Sequence, residues 1–231
     1  PLVTHILNDI LTKDSTFKQY ASTVIDEVAG IHFYNSNDSD EIQTDRSEQL
    51  GTLFRNNFYH SITNDVVPVI PSSLVATYPY NSETPIQTLI QTYQISKGFQ
   101  SFEEAAKTWM NEYSKALLGL VIPLYSKYGI ALEAHLQNSV ATFNEDGSLN
   151  KLYIRDFEGL RIDETQLNKM GYKTSHFHKK SRILTQSTTS VFNKVFYSTV
   201  QNHLAELILT ITEKVENMDF EKIMWHHISH I

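Results

Sequence analysis

Residues 128–159 read YGIALEAHLQNSVATFNEDGSLNKLYIRDFEG, and the rest of the chain is organised around this stretch. The pair Asp146-Gly147 lies between two runs of strand-like composition, which predicts a β-hairpin. A hairpin places its two ends side by side. Asn138 and Asp156 are therefore expected to lie near each other, although they are 18 residues apart in sequence.

Polar side chains collect at both ends of the predicted hairpin. The first group is Glu133, His135, Gln137 and Asn138, and the second is Arg155, Asp156 and Glu158, with Gly159 behind it. Carboxylate and amide oxygens, here those of Glu133, Gln137, Asn138 and Asp156, are ligands for a hard cation such as Mg²⁺. Cationic or donor groups, here His135 and Arg155, can contact phosphate or carboxylate oxygens. This combination is what phosphoryl and nucleotidyl transfer require.

Each of these residues also has an ordinary structural explanation. Glu133 could be a solvated carboxylate and His135 a hydrogen-bonded structural histidine. Asn138 could be a turn residue, and Asp156 could cap the turn at Gly159. Protein kinases place an Asn and a later Asp-Phe-Gly aspartate on shared metal ions in a similar layout. The chain has neither a kinase glycine-rich loop nor a Walker-type loop, so the residues alone leave both interpretations open.

Other polar groups give weaker signals. The basic run of Lys179, Lys180 and Arg182 is either a solvated loop or a mobile contact for an anionic substrate. His176 and His178 could bind a transition metal but have no third ligand at a convincing spacing. The histidines near the end of the chain (226, 227 and 230) are expected at the surface. By pattern alone, Arg55 is also expected at the surface.

Composition excludes several classes of protein. The 231 residues are 41% hydrophobic and 19% charged, which is typical of a globular domain. A net charge of −7, with no basic run longer than that of residues 179–182, argues against nucleic-acid binding. No apolar run is long enough for a membrane span, and no signal peptide is recognisable. The absence of cysteine excludes disulfides and is compatible with a cytoplasmic location.

The predicted fold class is α+β and mostly helical, with helices packed around a small antiparallel sheet or hairpin. One unit is expected over residues 1–231, with 1–98 as its leading part and 99–231 carrying the hairpin and the closing helices. Helices are predicted over 2–29, 48–58, 84–93, 102–128 (kinked or divided at Pro123), 163–170, 188–215 and from 219 onward. Residues 35–45 are expected to form a loop and 66–71 an extended edge segment.

The stretch 128–138, followed by Arg155-Asp156-Phe157-Glu158-Gly159, resembles the signature of the IucA/IucC-like siderophore synthetases, which work independently of non-ribosomal peptide synthetases. Weaker support comes from residues 53–56 with 67–69, from Trp109 and Tyr113, and from Asn202-His203-Leu204. Together these matches extend from about residue 50 to residue 210.

The resemblance implies a chemistry and a set of roles. Such enzymes bind ATP and Mg²⁺, adenylate a carboxylate of citrate or a related acid, and pass the acyl group to an amine or alcohol. Their fold is a cradle of thumb, fingers and palm, and this chain is similar to the palm. The resemblance places His135 and Arg155 at the reacting anions and Arg55 as an anion contact. It places Glu133, Gln137, Asn138 and Asp156 near metal and nucleotide.

The family also carries a Ser/Thr- and Arg-containing nucleotide motif upstream, which has no counterpart in this sequence. The chain, which starts on Pro1, is therefore expected to be the C-terminal part of a longer synthetase and to be inactive alone. A homodimer is compatible with the sequence. Two other functions remain open: a helical interaction domain without chemistry, and a module related to ferric-siderophore reductases. The second would need cysteines for an iron–sulfur cluster, and the sequence has none.

Overall fold

A computed structural model describes residues 2–63, 65–80, 82–178 and 181–231. Its central element is a long helix, Phe102–Tyr128. Ser101 caps the first turn by accepting a hydrogen bond from the backbone N–H of Glu104, and Gly129 ends the helix in the left-handed conformation at φ 69°. The helix continues through Pro123, so the predicted division at that residue is wrong.

The other helices surround this central one. In chain order the helices are α1 (Leu2–Lys13), α2 (Asp40–Gln49), α3 (Pro85–Lys97), α4 (Phe102–Tyr128), α5 (Glu164–Lys169), α6 (Thr188–Val195), α7 (Ala205–Thr212) and α8 (Phe220–Ile228). Between α6 and α7, residues Phe196–Leu204 form a π-helical segment. The predicted helix over 188–215 is therefore α-helical at both ends and π-helical in the middle.

Within the described ranges, the strands form three small sheets. They are β1 (Ser22–Val24), β2 (Glu27–His32), β3 (Gly51–Arg55), β4 (Val66–Val69), β5 (Ile130–Ala131), β6 (Ser139–Asn144), β7 (Leu149–Ile154), β8 (Arg161–Asp163) and β9 (Leu184–Thr185). The largest sheet has the order β1-β7-β6-β4, in which β1 is parallel to β7 and the other pairs are antiparallel. The pairs β2-β3 and β5-β8-β9 form the other two sheets.

The hairpin β6–β7 is confirmed, with Gly147 in the left-handed conformation at φ 81°. Trp109 on α4 is 1% exposed, and its indole N–H donates to the carbonyl of Gly147 at 3.0 Å. Trp109 also stacks on Phe143 of β6. The central helix therefore packs directly against the hairpin that carries the polar clusters at its ends, and the predicted α+β class is confirmed.

The predicted helix over 2–29 is confirmed only for residues 2–13, and the predicted helix over 48–58 is wrong beyond residue 49. Residues 14–29 form a 3₁₀ turn followed by β1 and the start of β2, because Ser22–Val24 pairs with Leu152–Ile154 far along the chain. Residues 51–55 are the strand β3, paired with β2, and the apolar side chains of Leu53 and Phe54 face solvent. Helix α2 begins inside the region predicted as a loop.

Among the described residues, no helix has both the length and the apolar character needed to cross a bilayer.

Candidate active site

An extended segment after α4 carries the first polar cluster. Leu132, Ala134 and Leu136 are buried, whereas Glu133 and His135 between them are partly exposed. This alternation follows from the period of two in extended backbone, which sends neighbouring side chains to opposite faces. The buried residues anchor the segment, and Glu133 and His135 are thereby presented on the same face.

His135 caps the 3₁₀ turn Leu136–Asn138. Its Nδ1 accepts a hydrogen bond from the backbone N–H of Asn138 at 3.3 Å. With Nδ1 as an acceptor, the neutral ring carries its proton on Nε2 and can donate it to an anion. The side-chain amide of Asn138 donates to the carbonyl of Glu133 at 3.3 Å, which ties the turn to the extended segment.

The two ends of the hairpin meet as predicted. The backbone N–H of Arg155 donates to the carbonyl of Asn138 at 2.9 Å. The guanidinium of Arg155 donates to the carbonyl of Gln137 at 3.2 Å, and the Gln137 side chain is exposed. The structure therefore brings both polar clusters to one end of the hairpin.

Asp156 has φ 69°, the only positive φ among the described non-glycine residues. Aspartate tolerates this conformation better than most residues, and such strain concentrates at functional sites. Its carboxylate accepts from the N–H of Glu158 at 3.4 Å and lies 3.6 Å from the guanidinium of Arg55. Arg55 also contacts the carboxylate of Glu27 at 3.2 Å. The guanidinium of Arg55 therefore bridges two carboxylates.

The carboxylate of Glu133 has a cationic partner that the sequence did not reveal. The ammonium of Lys194, at the end of α6, lies 2.8 Å from Glu133 Oε1. Both side chains are about one quarter exposed, at 22% and 27%. The two residues are 61 positions apart, and no local pattern could have linked them.

A cleft of about 770 Å³ opens beside these groups. Its lining comprises Glu48, Glu133, Asp156, Glu158, Gly159, Arg161, Ser181, Arg182 and Ile183. Of the predicted site residues, Glu133 and Asp156 line this cleft, and Arg55 lines an adjoining one that shares Glu48 and Glu158 with it. His135, Gln137, Asn138 and Arg155 lie outside its lining. The cleft thus combines carboxylates with arginines.

These residues suit a magnesium–nucleotide complex only in part. No group of three or more His, Asp or Glu side chains in the described ranges is arranged to hold a metal ion. Magnesium bound to nucleotides usually takes one or two carboxylates, and phosphate oxygens and water complete its shell. Glu133 and Asp156 could supply those carboxylates. Of the basic run, Lys179 and Lys180 lie outside the described residues, and Arg182 lines the cleft.

Comparison with known proteins finds relatives that align with nearly the whole chain. It is 67% identical over 226 residues to a D-ornithine–citrate ligase of Staphylococcus aureus (strain NCTC 8325 / PS 47), across 98% of this chain and 34% of the relative. Aerobactin synthetase IucC from a hypervirulent Klebsiella pneumoniae superimposes with a TM-score of 0.78 at 18% identity, over 100% of this chain and 39% of that chain. The ATP-bound aerobactin synthetase IucA of that pathotype has a TM-score of 0.74 at 14% identity, over 99% and 39%.

The fold and the motif residues define the chain as a counterpart of the C-terminal portion of the IucA/IucC-like siderophore synthetases, so the resemblance seen in the sequence is confirmed. The family model described as "Ferric iron reductase FhuF-like transporter" matches residues 107–231, more than half of the chain, and the chain belongs to that family. The chain spans about a third of the length of the Staphylococcus aureus relative. It contributes no cysteine that could hold an iron–sulfur cluster.

Proposed function

We propose that the chain is the C-terminal part of an ATP-dependent ligase that joins citrate, or a related acid, to an amine or alcohol in siderophore biosynthesis. A carboxylate oxygen of the acid would attack the α-phosphorus of ATP and release pyrophosphate. The nucleophile would then attack the acyl carbon and release AMP. The main support is 67% identity to a D-ornithine–citrate ligase along 98% of this chain.

The donors and carboxylates of the candidate site support this proposal. His135 Nε2–H and the guanidinium of Arg155 are donors for phosphate or carboxylate oxygens and would stabilise negative charge as it develops. Glu133 and Asp156, with Gln137 and Asn138 nearby, would face the magnesium ion that accompanies ATP. Arg55 would contact an anion once a substrate competes with Glu27 and Asp156 for its guanidinium.

The acceptor is proposed to be an amine that carries a second charged group, as in a diamino acid. Four carboxylates line the cleft, those of Glu48, Glu133, Asp156 and Glu158, and they can attract a cationic amine. Because ATP and citrate are metabolites of the cytoplasm, the ligase is expected to act there. A homodimer remains a prediction.

The test uses the full-length protein with magnesium, ATP and citrate. We expect the rate of citrate-dependent pyrophosphate release to fall by roughly 100-fold or more in His135→Ala and Asp156→Ala. His226→Ala, a histidine exposed on α8, serves as the matched control and should retain activity. Wild-type rates in both site variants would refute the site assignment. Absence of MgATP binding and turnover in the unaltered protein would instead favour an interaction domain.

A further inference from the structure

The π-helical segment Phe196–Leu204 lies against the extended segment that carries Glu133 and His135. Its hydrogen bonds run from residue i to residue i−5, as in the bond from the N–H of Ala205 to the carbonyl of Val200. Long π-helical stretches are rare, and those found are frequently located at functional sites. The side chains that this segment and the end of α6 direct toward residues 132–134 indicate what it does here.

Two side chains contact Glu133 and Ala134 of the extended segment. Lys194 pairs with the carboxylate of Glu133 at 2.8 Å, and His203 Nδ1 lies 2.8 Å from the carbonyl oxygen of Ala134. Between them, the buried hydroxyl of Ser198 lies 3.3 Å from the carbonyl of Leu132. That hydroxyl also lies 2.7 Å from the carbonyl of Lys194, and its single proton favours this shorter bond. Lys194 and His203 therefore make the shorter contacts with residues 132–134.

The helix type decides whether both contacts can form. Lys194 and His203 are nine residues apart, which is about two and a half turns of an α-helix, so an unbroken α-helix would place them on opposite faces. A helix with i to i+5 hydrogen bonds has more residues in each turn and rotates less for each residue. The π-helical segment thereby turns both side chains toward the same extended segment, residues 132–134.

His203 is held in a single orientation. Its ring is fully buried, and Tyr113 of α4 lies 2.8 Å from Nε2. A carbonyl can only accept, so Nδ1 carries the proton and donates it to Ala134, while Nε2 accepts from the Tyr113 hydroxyl. Burial lowers the pKa of His203 to about 4, so the ring is neutral at pH 7. His203 is shielded from solvent and would act through Ala134 rather than on a substrate.

We propose that the π-helical segment sets the position of Glu133 and His135, with His203 and Lys194 as positioning residues that act through the Ala134 carbonyl and the Glu133 carboxylate. This inference rests on the proposed function for its catalytic consequence. Its structural part, the restraint on residues 132–138, can be measured without any turnover.

A pair of substitutions at His203 separates its two hydrogen bonds. In His203→Asn the side-chain amide nitrogen replaces Nδ1 and can still donate to Ala134, whereas in His203→Gln the amide replaces Nε2 and retains only the contact with Tyr113. Both shorten or reshape the same buried side chain, so a loss of stability should be similar in the two. We expect His203→Gln to reduce kcat for citrate-dependent pyrophosphate release by roughly tenfold or more relative to His203→Asn.

Lys194 provides a second, partly exposed position at which folding is less at risk. Lys194→Met should reduce kcat, and Lys194→Arg, which keeps the ion pair, should restore most of it. The matched control is Lys214→Met, because Lys214 pairs with Glu83 far from the site and has a similar exposure of 23%, against 22% for Lys194. Lys214→Met should leave kcat unchanged.

Hydrogen exchange of the amides in residues 132–138 supplies the readout that is independent of activity. We expect faster exchange in His203→Gln and Lys194→Met of the full-length protein, and wild-type exchange in Lys214→Met. Equal exchange and equal kcat in His203→Gln and His203→Asn would overturn the proposal. If the unaltered protein releases no pyrophosphate, the proposed function fails, and the exchange data still decide whether these residues restrain the segment.

Discussion

The carboxylate of Glu133 occupies the space that a β-carbon on Gly159 would need, because a β-carbon built there would overlap Oε2 of Glu133. Only a residue without a side chain can occupy position 159 while Glu133 keeps this orientation. The glycine that ends the second polar cluster therefore makes room for the carboxylate of the first. Lys194 contacts the same carboxylate through Oε1 at 2.8 Å.

Gly159→Ala is expected to impair the site without unfolding the protein. The added methyl group meets the flexible end of a side chain, so the carboxylate of Glu133 can rotate away, but it then leaves Lys194. We expect the affinity for MgATP to fall by about tenfold, which corresponds to about 1.4 kcal/mol. Calorimetric titration of the full-length protein measures this affinity.

Gly30→Ala is the matched control for that substitution. The added carbon would lie 3.2 Å from the end of the Leu53 side chain, an exposed residue that can move aside. Affinity for MgATP should not change in this variant. If Gly159→Ala binds MgATP as tightly as the unaltered protein does, the orientation of Glu133 has no part in nucleotide binding.

Arg55 is expected to contribute to stability through Glu27. The Glu27 side chain is 9% exposed, and its Oε1 also accepts from the N–H of Phe157 at 3.3 Å. Arg55→Met leaves this carboxylate without its cation, and we expect the free energy of unfolding to fall by about 1–3 kcal/mol. Chemical denaturation at pH 7 measures the change.

A double-mutant cycle isolates this interaction. Glu27→Gln removes the charge that Arg55 neutralises, so the double variant Arg55→Met/Glu27→Gln should lose less stability than the sum of the single variants. Lys13→Met, which breaks a more exposed ion pair with Asp9 within helix α1, should cost much less stability than Arg55→Met. Strict additivity of the Arg55 and Glu27 effects would show that the pair is not coupled.

Local signals in the sequence were sufficient for part of this structure. The hairpin follows from Asp146-Gly147, and helix α4 follows from its cap at Ser101 and its stop at Gly129. Contacts between distant residues account for the errors. β1 exists because it pairs with β7, and the strand β3, which holds Arg55, exists because it pairs with β2.

In the candidate site, too, local sequence signals were predictable and long-range contacts were not. Its two polar clusters were predictable because one hairpin joins them. The partners that orient them were not, since Lys194 is 61 residues from Glu133 and His203 is 69 residues from Ala134. Nothing in the periodicity of residues 188–215 distinguished the π-helical segment from an α-helix. The individual roles of the site residues in metal, nucleotide and citrate binding remain predictions.

His203 should make stability depend on pH in the acidic range. Its pKa is lowered on folding from 6.5 to about 4, so the unfolded chain takes up this proton at a higher pH than the folded one. The contribution of the neutral ring is therefore complete above about pH 6.5 and is lost as the pH falls toward 4. The slope from one proton is at most about 1.4 kcal/mol per pH unit.

Replacing His203 by Gln removes this titration. Between pH 6.5 and 4, the free energy of unfolding of His203→Gln should fall less steeply than that of the unaltered protein, although the variant is less stable at pH 7. His5→Gln, at an exposed position on α1, should keep the original slope. Parallel curves for His203→Gln and the unaltered protein would mean that another group causes the acid sensitivity.

Trp109 should be a main link between the central helix and the hairpin turn. Its indole N–H donates to the carbonyl of Gly147, and its ring stacks on Tyr113 and Phe143 at centroid distances of 5.2 and 5.9 Å. Trp109→Phe keeps an aromatic ring but leaves the carbonyl unpaired and a void beside it. We expect the free energy of unfolding to fall by about 2–4 kcal/mol.

Trp109→Phe should destabilise the hairpin locally as well as lower the global free energy of unfolding. Hydrogen exchange at residues 144–149 should accelerate more in Trp109→Phe than exchange in α8, which also packs on the central helix. Trp225→Phe, a half-buried tryptophan of α8, is the control, and the hairpin should exchange at the original rate in that variant. Because the hairpin ends carry both polar clusters, loosening its turn tests whether packing against the central helix restrains the site. Unchanged exchange at residues 144–149 in Trp109→Phe would show that the hairpin holds its shape without this hydrogen bond.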